Sequence, residues 1–390
     1  MSGMYDYLDW RGDIGFKADP LGEVDALILA WLSYYEFEKL EGQNLLGMTV
    51  SSLAQLHEST FGEIVKPAAL KGIIPGVSAT YLLKSLSTFD RYKDVVLQDF
   101  KAINDHENSI QFSASSFLLP SGEEVVAFRG TDTSVAGWKE DCQLSYSESV
   151  PAQKYAQEYL NYRKQYSDRI IVAGHSKGGN LALYATMLGE PDLADRIINI
   201  YNFDGPGFCF DIKQTQNYAA LAPKVKTFIP QSSIVGILLE HVDEYQVVDS
   251  TMASILQHDA FFWKVLGKKL VTLEKRSFSS EMIDSILVDW LAKLSFEDRK
   301  EFIETLFAVF ENAGIKYFTD LQTESFSKMR AIISEMSNIE PEKRKMVLSF
   351  IMELMKSSGS NVFTTITAAP VNTIKSATSK LTGLFKRGTT

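Results

Sequence analysis

Ser176 lies in the run Gly174-His175-Ser176-Lys177-Gly178, a G-x-S-x-G pattern. A serine hydroxyl is a weak nucleophile. It gains strength when a base takes its proton and fixed donors await the charge that its attack creates on a carbonyl oxygen. The surroundings of Ser176 meet the first geometric demand of that chemistry. Ile170, Ile171 and Val172 form a short apolar run suited to a buried parallel strand, and Asn180 to Leu188 read as a helix with apolar residues on most faces. A serine on the sharp turn between them projects its hydroxyl out of the fold, and crowding there calls for glycine on both sides. The N–H of Lys177 and the start of the helix dipole face the same point. Ser176 is thus a candidate nucleophile and Lys177 N–H a candidate oxyanion donor.

Three more positions have the right types. Thr131 ends Phe128-Arg129-Gly130-Thr131, small and polar, between a strand and a helix carrying Trp138 and Asp141. A second oxyanion donor is needed there, although a threonine capping the helix would look the same. Asp204 opens Asp204-Gly205-Pro206-Gly207-Phe208 and suits the acid that orients a histidine, or an Asx turn. His258 precedes the aromatic run Phe261-Phe262-Trp263 and, taken alone, reads as structural. Phe208, Phe261 and Phe262 are candidate walls of an apolar substrate pocket. His57 and His106 have no second ligand at helical spacing, and Cys142 and Cys209 lie outside any C-x-x-C or zinc pattern, so no metal and no cofactor are expected.

The elements that must position these residues alternate. Ser109 to Leu119 and Glu124 to Arg129 read as strands joined by the turn Pro120-Ser121-Gly122. Pro151 to Tyr166 reads as a helix, and Ile197 to Phe203, Val225 to Ile229 and Glu244 to Val248 as further strands, the last of them final. Such alternation implies an α/β fold with a mainly parallel, doubly wound sheet, whose sites lie at the carboxyl ends of its strands. Thr131, Ser176 and Asp204 each fall just past a strand, and His258 follows the last one. Residues 1 to about 107 read as mostly helical and carry no evident chemistry. Val24 to Phe37 is apolar nearly all round and so should be buried, and short helices over Met48 to His57 and Ala79 to Leu86 are separated by Pro67, Gly72, Pro75 and Gly76.

Three regions follow from texture: 1–270 as the α/β domain with its helical N-terminal segment, 271–358 as an all-helical extension, and 359–390 as a flexible tail. Ile283, Ile286, Leu287, Trp290 and Leu294 recur at helical spacing, and Ser295 with Asp298 reads as a variant capping box. Phe326 to Met336 and Pro341 to Met355 continue the pattern. The tail holds Lys375, Lys380, Lys386 and Arg387 and no acid, which permits weak contact with an anionic membrane surface. Across 390 residues, 45% apolar and 23% charged, 39 basic against 49 acidic residues give −10, with no basic stripe of the kind nucleic acid requires. The N-terminus has acids where a signal peptide needs bases, and no run approaches the roughly 20 apolar residues of a spanning helix. With two lone cysteines, a soluble cytoplasmic protein is expected.

Phe128-Arg129-Gly130-Thr131 before a helix with tryptophan and acid, Gly174-His175-Ser176-Lys177-Gly178-Gly179 after a strand, and His258-Asp259-Ala260-Phe261-Phe262 near the end of the sheet resemble the class 3 lipase-like α/β-hydrolases. The opening, Asp6 to Phe16 with the helix after Glu23, together with Tyr201 to Phe208, looks like a bacterial branch of that group. The resemblance covers about residues 1 to 265. It implies Ser176 as nucleophile, His258 as general base and acid, Thr131 and Lys177 as the oxyanion hole, and an acyl-ester or lipid substrate cleaved through an acyl-enzyme. One position departs from the pattern. Class 3 lipases usually carry the acid one strand later, within the segment matching Phe228 to Val235, where this chain has Ser233. Either the triad is incomplete, or the acid is Asp204, as in pancreatic-type lipases, with Asp243 and Asp249 as reserves. Asp204 is the favoured choice. A non-catalytic scaffold that binds a partner or membrane through its C-terminal helices, and an acyltransferase, are the alternatives.

Overall fold

The computed structural model describes residues 3–40, 42–67, 75–105, 107–108, 110–132, 134–231, 233, 244–252, 257–274, 295–317, 325–336, 339 and 344. Among them an eight-stranded sheet runs in the order β1 (Val96–Asp105), β2 (Ile110–Leu118), β3 (Glu124–Phe128), β4 (Ile170–His175), β5 (Ile197–Phe203), β6 (Val225–Pro230), β7 (Tyr245–Val248) and β10 (Thr272–Leu273). Strands β3 to β7 are parallel. The antiparallel β1–β2–β3 meander flanks them on one side and β10 on the other. A two-stranded ribbon, β8 (Val265–Leu266) with β9 (Lys269–Leu270), stands apart.

Alternation along the central strands divides two cores. Val125 and Ala127 of β3, Ile171 and Ala173 of β4, and Tyr201 and Phe203 of β5 face α1 (Met4–Arg11), α2 (Glu23–Leu32), α3 (Val50–Phe61) and α4 (Pro75–Leu86). Their sequence neighbours Val126, Phe128, Ile170, Val172 and Ile200 pack on the other side with α6 (Pro151–Arg163) and α7 (Lys177–Met187). Helices on both faces explain why these strands read as continuous apolar runs. The N-terminal helices thus form one covering layer of the sheet, and α2 is buried along nearly its whole length.

Two expectations are corrected. Val96–Asp105 is a strand within a region expected to be helical. It is an edge strand in which Leu97 alone is fully buried, so it lacks the alternation that announces a strand. Tyr245–Val248 is also not the last strand: three two-residue strands follow it, too short to leave a periodic signal.

The chain divides into two compact units, Met1–Lys300 and Glu301–Thr390. Helices run over Phe296–Asn312 and Ser325–Met336, and Ile303, Leu306, Phe307, Phe310, Ile332 and Met336 are buried. The expected helices over 280–294 and 341–355 and the tail 359–390 lie outside the described residues. Among the described residues no helix is long and apolar enough to cross a membrane.

Candidate active site

Ser176 is the residue between β4 and α7, and its backbone is strained, with φ 59° and ψ −134°. A non-glycine residue held there by its surroundings marks a place where conformation serves something other than stability. The surroundings are tight. A Cβ on Gly174 would lie 2.0 Å from the carbonyl oxygen of Gly178, and one on Gly178 would lie 2.1 Å from that of Phe128. Ser176 N–H donates to Phe203 O at 2.9 Å, and Gly179 N–H to Ser176 O at 2.8 Å, so the turn is pinned to the neighbouring strand and to its own helix. Ser176 remains 9% exposed.

Asp204, just past β5, is the other non-glycine residue with positive φ among the described residues, 54°, and is 0% exposed. Its N–H donates to Phe228 O at 2.8 Å, which turns the side chain towards the end of the sheet. His258 Nδ1 lies 2.5 Å from Asp204 Oδ2. A carboxylate only accepts, so Nδ1 carries the proton and Nε2 is left as the basic nitrogen. Ser233 donates its hydroxyl to Asp204 Oδ1. The residue standing where the resemblance puts the acid therefore satisfies the second oxygen of the acid one strand earlier. Asp249 pairs with Lys264 at 2.7 Å, and Asp243 lies outside the described residues.

The segment Arg129-Gly130-Thr131 passes directly beside the elbow: a Cβ on Gly130 would lie 3.0 Å from Ser176 Cβ. The Thr131 hydroxyl donates to Asp141 Oδ2 at 2.5 Å. Of the proposed pocket walls, Phe208 packs within the α6–α7 core against Tyr184 and Phe210. Phe261 belongs to the opposite core, stacked on Tyr5 with ring centroids 5.5 Å apart and tilted on Trp31 at 4.6 Å. Phe262 is half-buried, and its carbonyl accepts the Thr251 N–H and the Ser250 hydroxyl.

Residues 86–308, more than half of the sequence, match the model of the Mbeg1-like family. The chain belongs to the Mbeg1-like family. Among solved structures, the crystal structure of M37 lipase is similar at 16% identity, over 55% of this chain and 69% of that one, with a TM-score of 0.36. No curated protein matches. The Mbeg1-like stretch holds Thr131, Ser176, Lys177, Asp204 and His258, but it begins after α2.

Helix α2 nonetheless reaches the site through His175, which the sequence reading passed over. His175 Nε2 donates to the backbone carbonyl of His258 at 2.8 Å, and Nδ1 accepts from the Tyr34 hydroxyl at 3.1 Å. The two bonds leave one tautomer possible. Burial, with the His258 ring adding to it, holds the pKa of His175 well below its ordinary value of 6.5, so the ring is neutral. It lies between Trp31, at a centroid distance of 5.1 Å, and His258, at 4.7 Å. His258 is thereby held at its ring by Asp204 and at its backbone by His175, and its side chain stays 27% exposed.

Proposed function

We propose that this Mbeg1-like protein is a serine hydrolase that cleaves carboxylic esters through an acyl-enzyme. The observation that carries this reading is the His258–Asp204 pair at the same end of the sheet as a strained serine elbow. Ser176 Oγ attacks the ester carbonyl while His258 Nε2 takes its proton. Asp204 keeps His258 in the required tautomer and stabilises the imidazolium. The backbone N–H groups of Thr131 and Lys177 hold the oxyanion. Collapse breaks the ester C–O bond, and the leaving alcohol takes the proton from His258. Water then repeats the sequence on the acyl group and frees Ser176.

The substrate class is an acyl ester or lipid, with Phe261 and Phe262 next to the base as apolar contacts. The protein acts in the cytoplasm with no nucleic-acid partner, and its C-terminal tail supplies at most a weak membrane-surface contact. An acyltransferase would share the acyl-enzyme and differ only in the acceptor, so product analysis with added alcohols or thiols separates the two. A scaffold that has lost catalysis has no use for a buried carboxylate at His258, which weighs against that alternative.

The test is labelling by a fluorophosphonate. Wild type should take one label at Ser176, and Ser176→Ala should lose both label and esterase activity. Absence of label on folded wild type, or full esterase activity in Ser176→Ala, overturns the proposal.

A further inference from the structure

Lys177 supplies the oxyanion amide in the reading above, and its side chain does something the helix does not ask for. It is the first residue of α7, where free N–H groups and the helix dipole favour acids over cations. Its ammonium is nevertheless fully buried, 1% exposed, and aimed across the fold. Nζ donates to Gln111 O at 2.8 Å, to Gln111 Oε1 at 2.8 Å and to Glu140 Oε2 at 3.0 Å. Those are the three donors an ammonium has. Asp141 Oδ1 lies 3.6 Å away.

Glu140, on α5 (Val135–Gln143), is equally buried and also accepts Gln111 N–H at 3.2 Å and Ala152 N–H of α6 at 2.9 Å. Asp141 in turn accepts the Thr131 hydroxyl. Burial alone pushes the Lys177 pKa down, but Glu140 and Asp141 more than offset it and raise it, so the ammonium stays charged.

Burying Lys177 and Glu140, with Asp141 only partly exposed beside them, carries a desolvation penalty that an apolar residue at Lys177 would avoid. What the ionic cluster supplies is position. One ammonium ties the residue after Ser176 to β2 and α5 and, through Asp141, reaches the side chain of Thr131. We infer that Lys177 and Glu140 are positioning residues: the buried ammonium is a brace that sets the two oxyanion donors, Lys177 N–H and Thr131 N–H, at a fixed separation across the Ser176 hydroxyl. The inference rests on the hydrolase reading.

The experiment uses the full chain, with a short 4-nitrophenyl ester and a fluorophosphonate as probes. Lys177→Met, close to isosteric, removes the brace and leaves Glu140 buried without its cation, so it lowers both Tm and kcat. Lys177→Met/Glu140→Gln removes both charges together and should recover part of the Tm, since one of the two backbone N–H groups that Glu140 accepts then faces an amide nitrogen. The brace predicts that kcat and the labelling rate stay about 10²-fold down in the double variant, with KM within about twofold, because misplaced oxyanion donors weaken the transition state and not substrate binding. Asp141→Asn, at the partly exposed end of the cluster, keeps the Lys177–Glu140 pair and should lower kcat about tenfold. If the double variant regains its rate along with its Tm, or if Asp141→Asn keeps the full rate, the cluster serves the fold alone and the inference is overturned. If folded wild type takes no label, the hydrolase reading falls and the inference falls with it.

Discussion

Asp204 carries two bonds that decide what His258 can do. One oxygen faces His258 Nδ1 and the other accepts the Ser233 hydroxyl, and Asp204 itself is fully buried. Asp204→Asn can present its amide N–H to His258 and invite the other tautomer, with the proton on the nitrogen that should be the base. The corresponding change in trypsin, a worked precedent, costs about 10⁴ in turnover. A loss of that order in kcat is expected here, with near-normal Tm, read by steady-state kinetics beside thermal melts. Ser233→Ala removes one hydrogen bond to a charged group, a bond commonly contributing about 1.5–3 kcal/mol, so kcat should fall roughly ten- to a hundredfold. If Ser233→Ala is indistinguishable from wild type, the serine is not supporting the acid. The sequence made Asp204 a candidate because the acid follows a strand and opens a Gly-Pro-Gly turn. It offered no way to see that Ser233, 29 residues on, would meet the same carboxylate, since that bond depends on β5 and β6 lying side by side.

Elements differ in how far their sequence announces them. The β4–elbow–α7 unit was legible because everything that shapes it is local: an apolar strand, two glycines and a helix within 20 residues. The role of α2 was not. Its apolar circumference correctly implied burial, but Tyr34 meets His175 across 141 residues, and no local pattern records such a pairing. The same holds for Lys177 and Glu140, 37 residues apart on different helices. The α2–β4 contact yields two expectations. A Cβ on Gly130 would fall 2.1 Å from the Tyr34 hydroxyl and 2.5 Å from the His175 carbonyl. Gly130→Ala must therefore force this segment away from Tyr34 and the elbow, at a cost of about 1–3 kcal/mol and most of the activity. A melt and an esterase assay on the same preparation check both. His175, neutral when folded, binds its proton in the unfolded chain first as pH falls below 6.5. Its contribution to stability is thus full above that pH and is lost on acidification. Stability should drop by about 1.4 kcal/mol per pH unit per proton below pH 6.5, and His175→Gln should shed one proton's share of that slope. Urea titrations at pH 7.5, 6.5 and 5.5 measure it, and an unchanged slope in the variant excludes a neutral buried His175.

At the scale of the molecule, the N-terminal layer is held together by a buried carboxylate. Asp25 on α2 accepts from the hydroxyls of Tyr7 and Tyr92, from Arg91 Nε and from Arg91 Nη2, at 2.5–2.9 Å, and from Gly22 N–H at 2.8 Å. Arg91 also donates to the carbonyls of Ile14 and Asp19, so it closes the loop between α1 and α2 against the chain just ahead of β1. Both charges are fully buried. Removing one partner of such a pair leaves the other buried without compensation, typically at 3–5 kcal/mol, whereas replacing both with apolar residues is often neutral. Asp25→Asn should therefore lower stability by an amount in that range, and Asp25→Leu/Arg91→Met should recover much of it. Because α2 also carries Trp31 and leads directly into Tyr34, and both hold His175, loosening this layer cannot leave the proposed catalytic end untouched. In Asp25→Asn, Ser176 labelling and tryptophan fluorescence should be lost at one shared urea midpoint, lower than that of wild type. Two separate midpoints, with labelling surviving the loss of α2, would mean that the N-terminal helices merely cover the sheet and take no part in shaping the site.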